Sequence, residues 1–232
     1  MQKEYHLELY LEIACFNAES AIIAGRAGAN RIELCQGLEV GGLTPEPEVV
    51  KLVLTGVSIP VFVMIRPRGG DFVYSNLEYK QMKNEITLLK TLGVKGFVFG
   101  ILDEKNQVDI IKNSELVKWA DPLPCSFHRA FDRASEPHLA LESVIASGFK
   151  TILTSGHQSN AVQGAEELKR LIELAKGRIE IMPGGGVRSE NLPYLIKTTG
   201  ASYYHSSALL KGESKADEME IRALKDLLNS NA

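Results

Sequence analysis

Val61-Phe62-Val63-Met64-Ile65 runs directly into Arg66-Pro67-Arg68-Gly69-Gly70-Asp71. Five apolar residues in a row read as a buried strand, and the charged, glycine-rich stretch behind them reads as the loop it feeds. The junction therefore delivers two guanidinium groups at the end of a strand that water does not reach. The same break recurs at Cys125-Ser126-Phe127-His128-Arg129, Ile152-Leu153-Thr154-Ser155-Gly156-His157, Ile179-Glu180-Ile181-Met182-Pro183-Gly184-Gly185-Gly186 and Tyr203-Tyr204-His205-Ser206-Ser207. Polar groups held at the ends of several buried strands are how a parallel α/β barrel assembles a site.

Working outward, short runs of aliphatic residues alternate with longer helical patterns along the chain. Strands are expected near 7–14, 31–35, 61–66, 96–102, 125–128, 151–154, 179–182 and 202–205. Helices are expected near 17–27, 47–55, 75–92, 107–119, 137–147, 161–176, 189–198 and 216–228. Asn17 is a natural N-cap, and Thr44-Pro45-Glu46 announces the second helix. Ala27-Gly28-Ala29-Asn30, Leu92-Gly93-Val94-Lys95, Ser147-Gly148-Phe149-Lys150 and Thr199-Gly200-Ala201-Ser202 share one form. In each, a glycine stops a helix and a residue or two later the next strand begins. Eight such units predict a (β/α)8 TIM barrel, one domain over residues 1–232 that ends in a helix at about 216–228.

Composition narrows the function. The chain has 232 residues and a net charge of −3, without the basic excess of a nucleic-acid-binding protein. No apolar stretch approaches the roughly 20 residues that span a bilayer. The opening Met1-Gln2-Lys3-Glu4-Tyr5-His6 lacks the plan of a signal peptide. Three cysteines at unrelated spacings argue against a disulfide framework. A cytoplasmic protein is expected.

Strand parity then sorts the candidate residues. Ile32 and Leu34 suit the helix-packed face of their strand, so Glu33 and Cys35 point to the barrel axis. Glu12 and Ala14 share the inward face of the first strand, and Cys15 takes the opposite one. Buried carboxylates at Glu12 and Glu33 need cationic partners, and Arg66 is the expected one. A Glu–Arg layer that only replaces apolar packing would leave the same signature. Arg68 and Asp71 lie in a glycine loop able to approach a ligand. His128, Arg129 and Asp132 fall in Phe127-His128-Arg129-Ala130-Phe131-Asp132, and His205 closes the last strand. His6 and His138 read as surface positions. Gly185 and Gly186 after strand seven, with Ser206 after strand eight, sit where barrels bind phosphate through backbone N–H groups. Cys35, with Glu33, His128 and His205, would offer a metal a mixed donor set.

Arg31-Ile-Glu-Leu-Cys35, Gly41-Gly-Leu-Thr-Pro45, Met64-Ile-Arg-Pro-Arg-Gly-Gly-Asp-Phe-Val-Tyr74, Phe127-His-Arg-Ala-Phe-Asp132 and Leu153-Thr-Ser-Gly156 resemble the copper homeostasis protein CutC family. The resemblance runs along nearly the whole chain. It implies a TIM barrel, a cytoplasmic location, a homo-oligomer and a role in copper homeostasis. It also implies Cu(I) ligands at cysteines near the ends of the first two strands. Cys35 matches the second position; Ala14 occupies the first, with Cys15 one residue later.

Two functions stay open on these residues. In one, Cys35, helped by Cys15 or a histidine, holds a copper ion as Cu(I). In the other, the barrel is an enzyme for a small anionic ligand, a phosphate or carboxylate. Glu12, Arg66, Arg68, Asp71, Arg129, Ser155, Gly185, Gly186, His205 and Ser206 would then bind it, while Glu33, His128 or Asp132 transfers a proton.

Overall fold

The computed structural model describes residues 9–231. Strand and helix alternate through it as β1 (Tyr10–Cys15), α1 (Ala18–Arg26), β2 (Arg31–Leu34), α2 (Pro47–Gly56), β3 (Val61–Met64), α3 (Asn76–Leu92), β4 (Gly96–Phe99) and α4 (Ile110–Ala120). The second half repeats the plan with β5 (Cys125–Phe127), α5 (Pro137–Ala146), β6 (Thr151–Thr154), α6 (Ala165–Ala175), β7 (Glu180–Pro183), α7 (Leu192–Thr199), β8 (Tyr203–Ser206) and α8 (Glu218–Ser230). Neighbours along β7-β6-β5-β4-β3-β2-β1-β8 pair in parallel. The two end strands, β7 and β8, lie side by side, so the eight form a nearly closed TIM barrel.

Local signals explain the element ends. The Asn17 side chain accepts the Ser20 N–H at the start of α1. Ser75 and Glu78 form a reciprocal capping box at the start of α3, and Gly93 stops that helix in the left-handed region. Several strands are shorter than expected. β4 ends at Phe99 because the chain turns away there, and Leu102 bridges antiparallel to Val108 instead. α6 begins at Ala165 rather than near Ala161, after a tight turn through 155–164. Leu7, Glu8 and His6 lie outside the described residues.

Strand parity divides the buried side chains into two cores. Ile13, Cys15, Ile32, Leu34, Val61 and Val63 pack outward against the helices. Cys35, Phe62, Met64 and Val98 form a separate cluster, with Phe16 packed against it. Phe62 lies across Gly96, where a Cβ would come within 2.5 Å of the ring. Glycine is therefore required at that point of β4. The polar inward residues gather toward the carboxyl ends of the strands.

Candidate functional site

A cavity of about 200 Å³ opens at those carboxyl ends, with Glu33, Arg66, His128 and His205 all in its wall. Arg129 and Arg188 line it as well. It is smaller than the roughly 300–1,000 Å³ of drug-sized pockets, which suits a small molecule.

Its floor is an ion-pair network. Register sets Glu12 beside Arg31 on β2 and beside His205 on β8. Arg31 Nε donates to Glu12 Oε2 at 2.5 Å, and His205 Nδ1 lies 2.8 Å from Glu12 Oε1. Burial works against the Glu12 carboxylate, but the Arg31 charge and the His205 hydrogen bond outweigh it and hold its pKa at about 2. Burial likewise opposes the His205 imidazolium, and the Glu12 hydrogen bond with the Glu33 charge overrides it, raising the histidine. Glu33 lacks such support. Its Oε2 is 3.8 Å from His205 Nδ1 and has no hydrogen-bond partner. Burial pushes Glu33 up to about 7, with the His205 charge only partly opposing.

One wall holds Arg66, Phe72 and His128. Arg66 was expected to neutralise the two glutamates, but it does not reach them. Its guanidinium donates instead to the carbonyls of Val40 (2.7 Å), Gly42 (3.0 Å) and Gly70 (3.3 Å). Arg31 is closer in register to Glu12 and takes the role. Arg66 is thus 95% buried, and no carboxylate among the described residues pairs with it. Its guanidinium stacks over Phe72 at 4.7 Å, and His128 meets the same ring edge-on at 4.8 Å. His128 Nδ1 accepts the Ala130 N–H at 3.3 Å, and its Nε2 has no partner. Burial, helped by the Arg66 charge, depresses His128 to about 3, so the ring is neutral near pH 7.

The rim is built by loops six to eight. Asp132 Oδ1 accepts from Thr154 Oγ1 (2.5 Å), and Oδ2 accepts from Arg129 Nε (2.8 Å). The backbone N–H groups of Ser155 and His157 also donate to Asp132. With its oxygens engaged this way, Asp132 steers Arg129 and the β6 loop rather than facing the cavity. Ser155 joins the same cluster by accepting from Arg129 Nη2 at 2.8 Å. Gly185 faces Arg129: at its φ of +89°, a Cβ would sit 3.1 Å from Nη1. Arg188 donates to Ser206 Oγ (3.0 Å), Ser207 Oγ (3.4 Å) and Leu209 O (2.9 Å), again with no acid partner among the described residues.

Some expected residues stay away. Arg68 is bound to Glu78 and Asp71 at 2.6 and 2.9 Å, and neither Arg68 nor Asp71 lines the cavity. Their mutual attraction pins the loop sideways instead of leaving it free to approach a ligand. Residues missed in the sequence include Arg31 and Arg188. The first shares the inward parity of Glu33, and the second lies two residues after the glycine triplet.

The two cysteines do not fit a dithiolate copper site. Cys15 packs in the outer core and Cys35 in the inner one, on opposite faces of the strand wall. Both thiols are pushed above their usual range by burial and by nearby carboxylates, so both are protonated in the metal-free protein. Glu12, Glu33 and His205 offer ligand atoms within 4.8 Å of one another. These oxygen and nitrogen donors suit a divalent cation rather than Cu(I), and Glu12 would have to release Arg31 or His205 to join one.

The residues that build this mouth fall inside residues 9–210, which match the model described as the CutC family. The chain belongs to the CutC family. It is 49% identical over 198 residues to a human protein named copper homeostasis protein cutC homolog, covering 85% of this chain and 72% of that one. A CutC protein of Proteus mirabilis is 46% identical over 198 residues, 85% of this chain and 78% of that one. The crystal structure of CutC from Streptococcus agalactiae superposes with a TM-score of 0.81 at 36% identity, over 86% of this chain and 98% of that one. No helix among the described residues is long and apolar enough to cross a membrane.

Proposed function

We propose that this CutC-family chain serves copper homeostasis, the role in the names of its relatives, through a cavity that binds a small anionic molecule and moves a proton on it. One observation carries this reading: Arg66 and Arg188 both line the cavity, and neither has a carboxylate partner among the described residues. Arg66 is buried and Arg188 half-buried, and a guanidinium withdrawn from water keeps its charge at a desolvation cost unless an anion answers it. An anionic ligand supplies the missing charge, with Arg129, Gly185 and Gly186 at the rim. Glu33 is the proton-transferring group, since its environment sets it near neutrality.

The setting is cytoplasmic, which suits three unpaired cysteines. The chain is a homo-oligomer, supported by exposed Leu77 and Leu88 on α3 and Ile111 and Trp119 on the neighbouring α4.

A thermal-shift screen of phosphate esters and carboxylates tests the reading. At least one should raise the melting temperature, and Arg188→Ala should remove the gain. No shift across a broad panel would dispose of it.

A second reading rests on Cys35 Sγ and the Met64 methyl group, which lie 3.5 and 3.4 Å from the position of a Cβ on Gly42. A thiolate and a thioether side by side would hold Cu(I) as cargo. Anaerobic titration should then show one site lost in both Cys35→Ser and Met64→Leu; binding unchanged in either variant would reject it.

A further inference from the structure

Two buried polar atoms in the wall of this cavity have no partner, and they are chemically complementary. Glu33 Oε2 and His128 Nε2 are both unsatisfied, and their residues are 97% and 97% buried. The hydrogen bond that His128 makes fixes its chemistry. Nδ1 accepts the Ala130 N–H, so it carries no proton, and the ring hydrogen of neutral His128 sits on Nε2. The wall of the cavity thus holds, just beneath its surface, an N–H donor from a neutral imidazole and, from another strand, a carboxylate oxygen with no hydrogen-bond partner. Phe16, Phe72, Met64 and Leu153 add apolar lining to the same cavity.

Unsatisfied buried groups are costly unless a ligand completes them. One ligand that answers both offers an acceptor oxygen to His128 and a hydrogen to Glu33, with an anionic group toward Arg129 and Arg188. A carbonyl compound that carries a hydrogen on the adjacent carbon and a phosphate or carboxylate further along has those three features. A neutral imidazole is a suitable donor here, because it stabilises a developing oxyanion without surrendering its proton at once.

We propose that the cavity enolises such a compound, a reading that rests on the anion-binding function above. Glu33 takes the proton from the carbon next to the carbonyl. The C–H electron pair becomes the new C=C bond, and the carbonyl π pair moves onto oxygen, where His128 Nε2–H holds it. Return of the proton to the same carbon regenerates the compound with solvent hydrogen. Return to the former carbonyl carbon of a hydroxy-carbonyl compound, while the hydroxyl proton passes by way of His128 Nε2 to the former carbonyl oxygen, gives its isomer. No oxidant, reductant or second substrate enters.

The experiment uses the full chain with dihydroxyacetone phosphate, D-ribulose 5-phosphate and pyruvate as carbonyl probes. Glycerol 3-phosphate is the anion that lacks a carbonyl. Binding is read by thermal shift, and exchange by proton NMR in D2O. A carbonyl probe that binds should lose its adjacent C–H signal faster than without protein. Glu33→Gln, prepared identically, should keep the thermal shift and slow exchange at least about 100-fold. His128→Phe should slow it by roughly 100- to 1,000-fold, and His128→Gln, which restores an N–H donor, should recover part of the loss. Binding without exchange, or exchange indifferent to Glu33→Gln, overturns the enolisation and leaves the anion site standing. If none of the four probes binds, the anion-binding reading loses its support and the enolisation falls with it.

Discussion

His205 Nδ1 lies 2.8 Å from Glu12 Oε1, a buried hydrogen bond that ties β8 to β1 next to the seam of the barrel. Arg31 holds the other Glu12 oxygen, so one carboxylate bonds two nitrogen donors from the strands on either side. Removing it would leave both stranded in a low-dielectric interior.

Glu12→Ala should therefore destabilise the fold by about 3–5 kcal/mol, the usual cost of breaking a buried pair from one side. At roughly 2–4 °C per kcal/mol for a chain of this size, the melting temperature falls by about 6–20 °C. Differential scanning calorimetry near pH 7 checks this. A loss under 2 °C would mean that the network is solvated and not structural.

Two groups in the cavity give opposite pH dependence. His128 drops from 6.5 to about 3 on folding, so its contribution is fully present above pH 6.5 and is lost as pH falls toward 3. Glu33 rises from 4.5 to about 7, so the folded state is favoured below pH 4.5 and loses ground as pH climbs through 7. Glu33→Gln should thus gain on the parent steadily between pH 4.5 and 7 and hold that gain above. His128→Phe should flatten the acid-side slope. Melting temperatures across pH 4 to 9 decide both; a Glu33→Gln difference that shrinks with rising pH would reverse the assignment.

Gly185 holds a backbone conformation that other residues reach at a cost of about 1–2 kcal/mol, and it faces Arg129. Gly185→Ala should lower stability only modestly while displacing the Arg129 guanidinium. The expected result is at least about a tenfold loss of anion affinity by titration calorimetry, against a melting-temperature change of a few degrees. Unchanged affinity would place the anion elsewhere.

All three cysteines are buried. None should react with a thiol reagent in the native state on the timescale in which all three react after denaturation. Rapid native labelling of Cys35 would show an accessible thiolate and favour the copper reading.

The barrel was legible because the hydrophobic period changes at each junction and glycines end the helices where Gly93 and Gly200 now lie in the left-handed region. Parity sets Glu33 inward, since Ile32 and Leu34 suit only a helix-packed face, and the alternation after Glu12 and Ala14 sets Cys15 outward. It did not pair the charges. The stagger that sets Arg31 beside Glu12 belongs to the closed barrel, not to either strand alone. The role of Asp132 was hidden for a different reason. Two of its donors, the Ser155 and His157 N–H groups, are loop backbone, which has no sequence signature. Arg188 stood in view after the glycine triplet, but the direction of its side chain depends on the turn that those glycines make.

The most direct test is a crystal structure of the full chain grown with the phosphate ester or carboxylate that gives the largest thermal shift. The account predicts density in the cavity, with the anionic group at Arg188 and Arg129 and a ligand oxygen within hydrogen-bonding distance of His128 Nε2. A cavity left open under saturating ligand, with the molecule or a copper ion bound elsewhere, would contradict it.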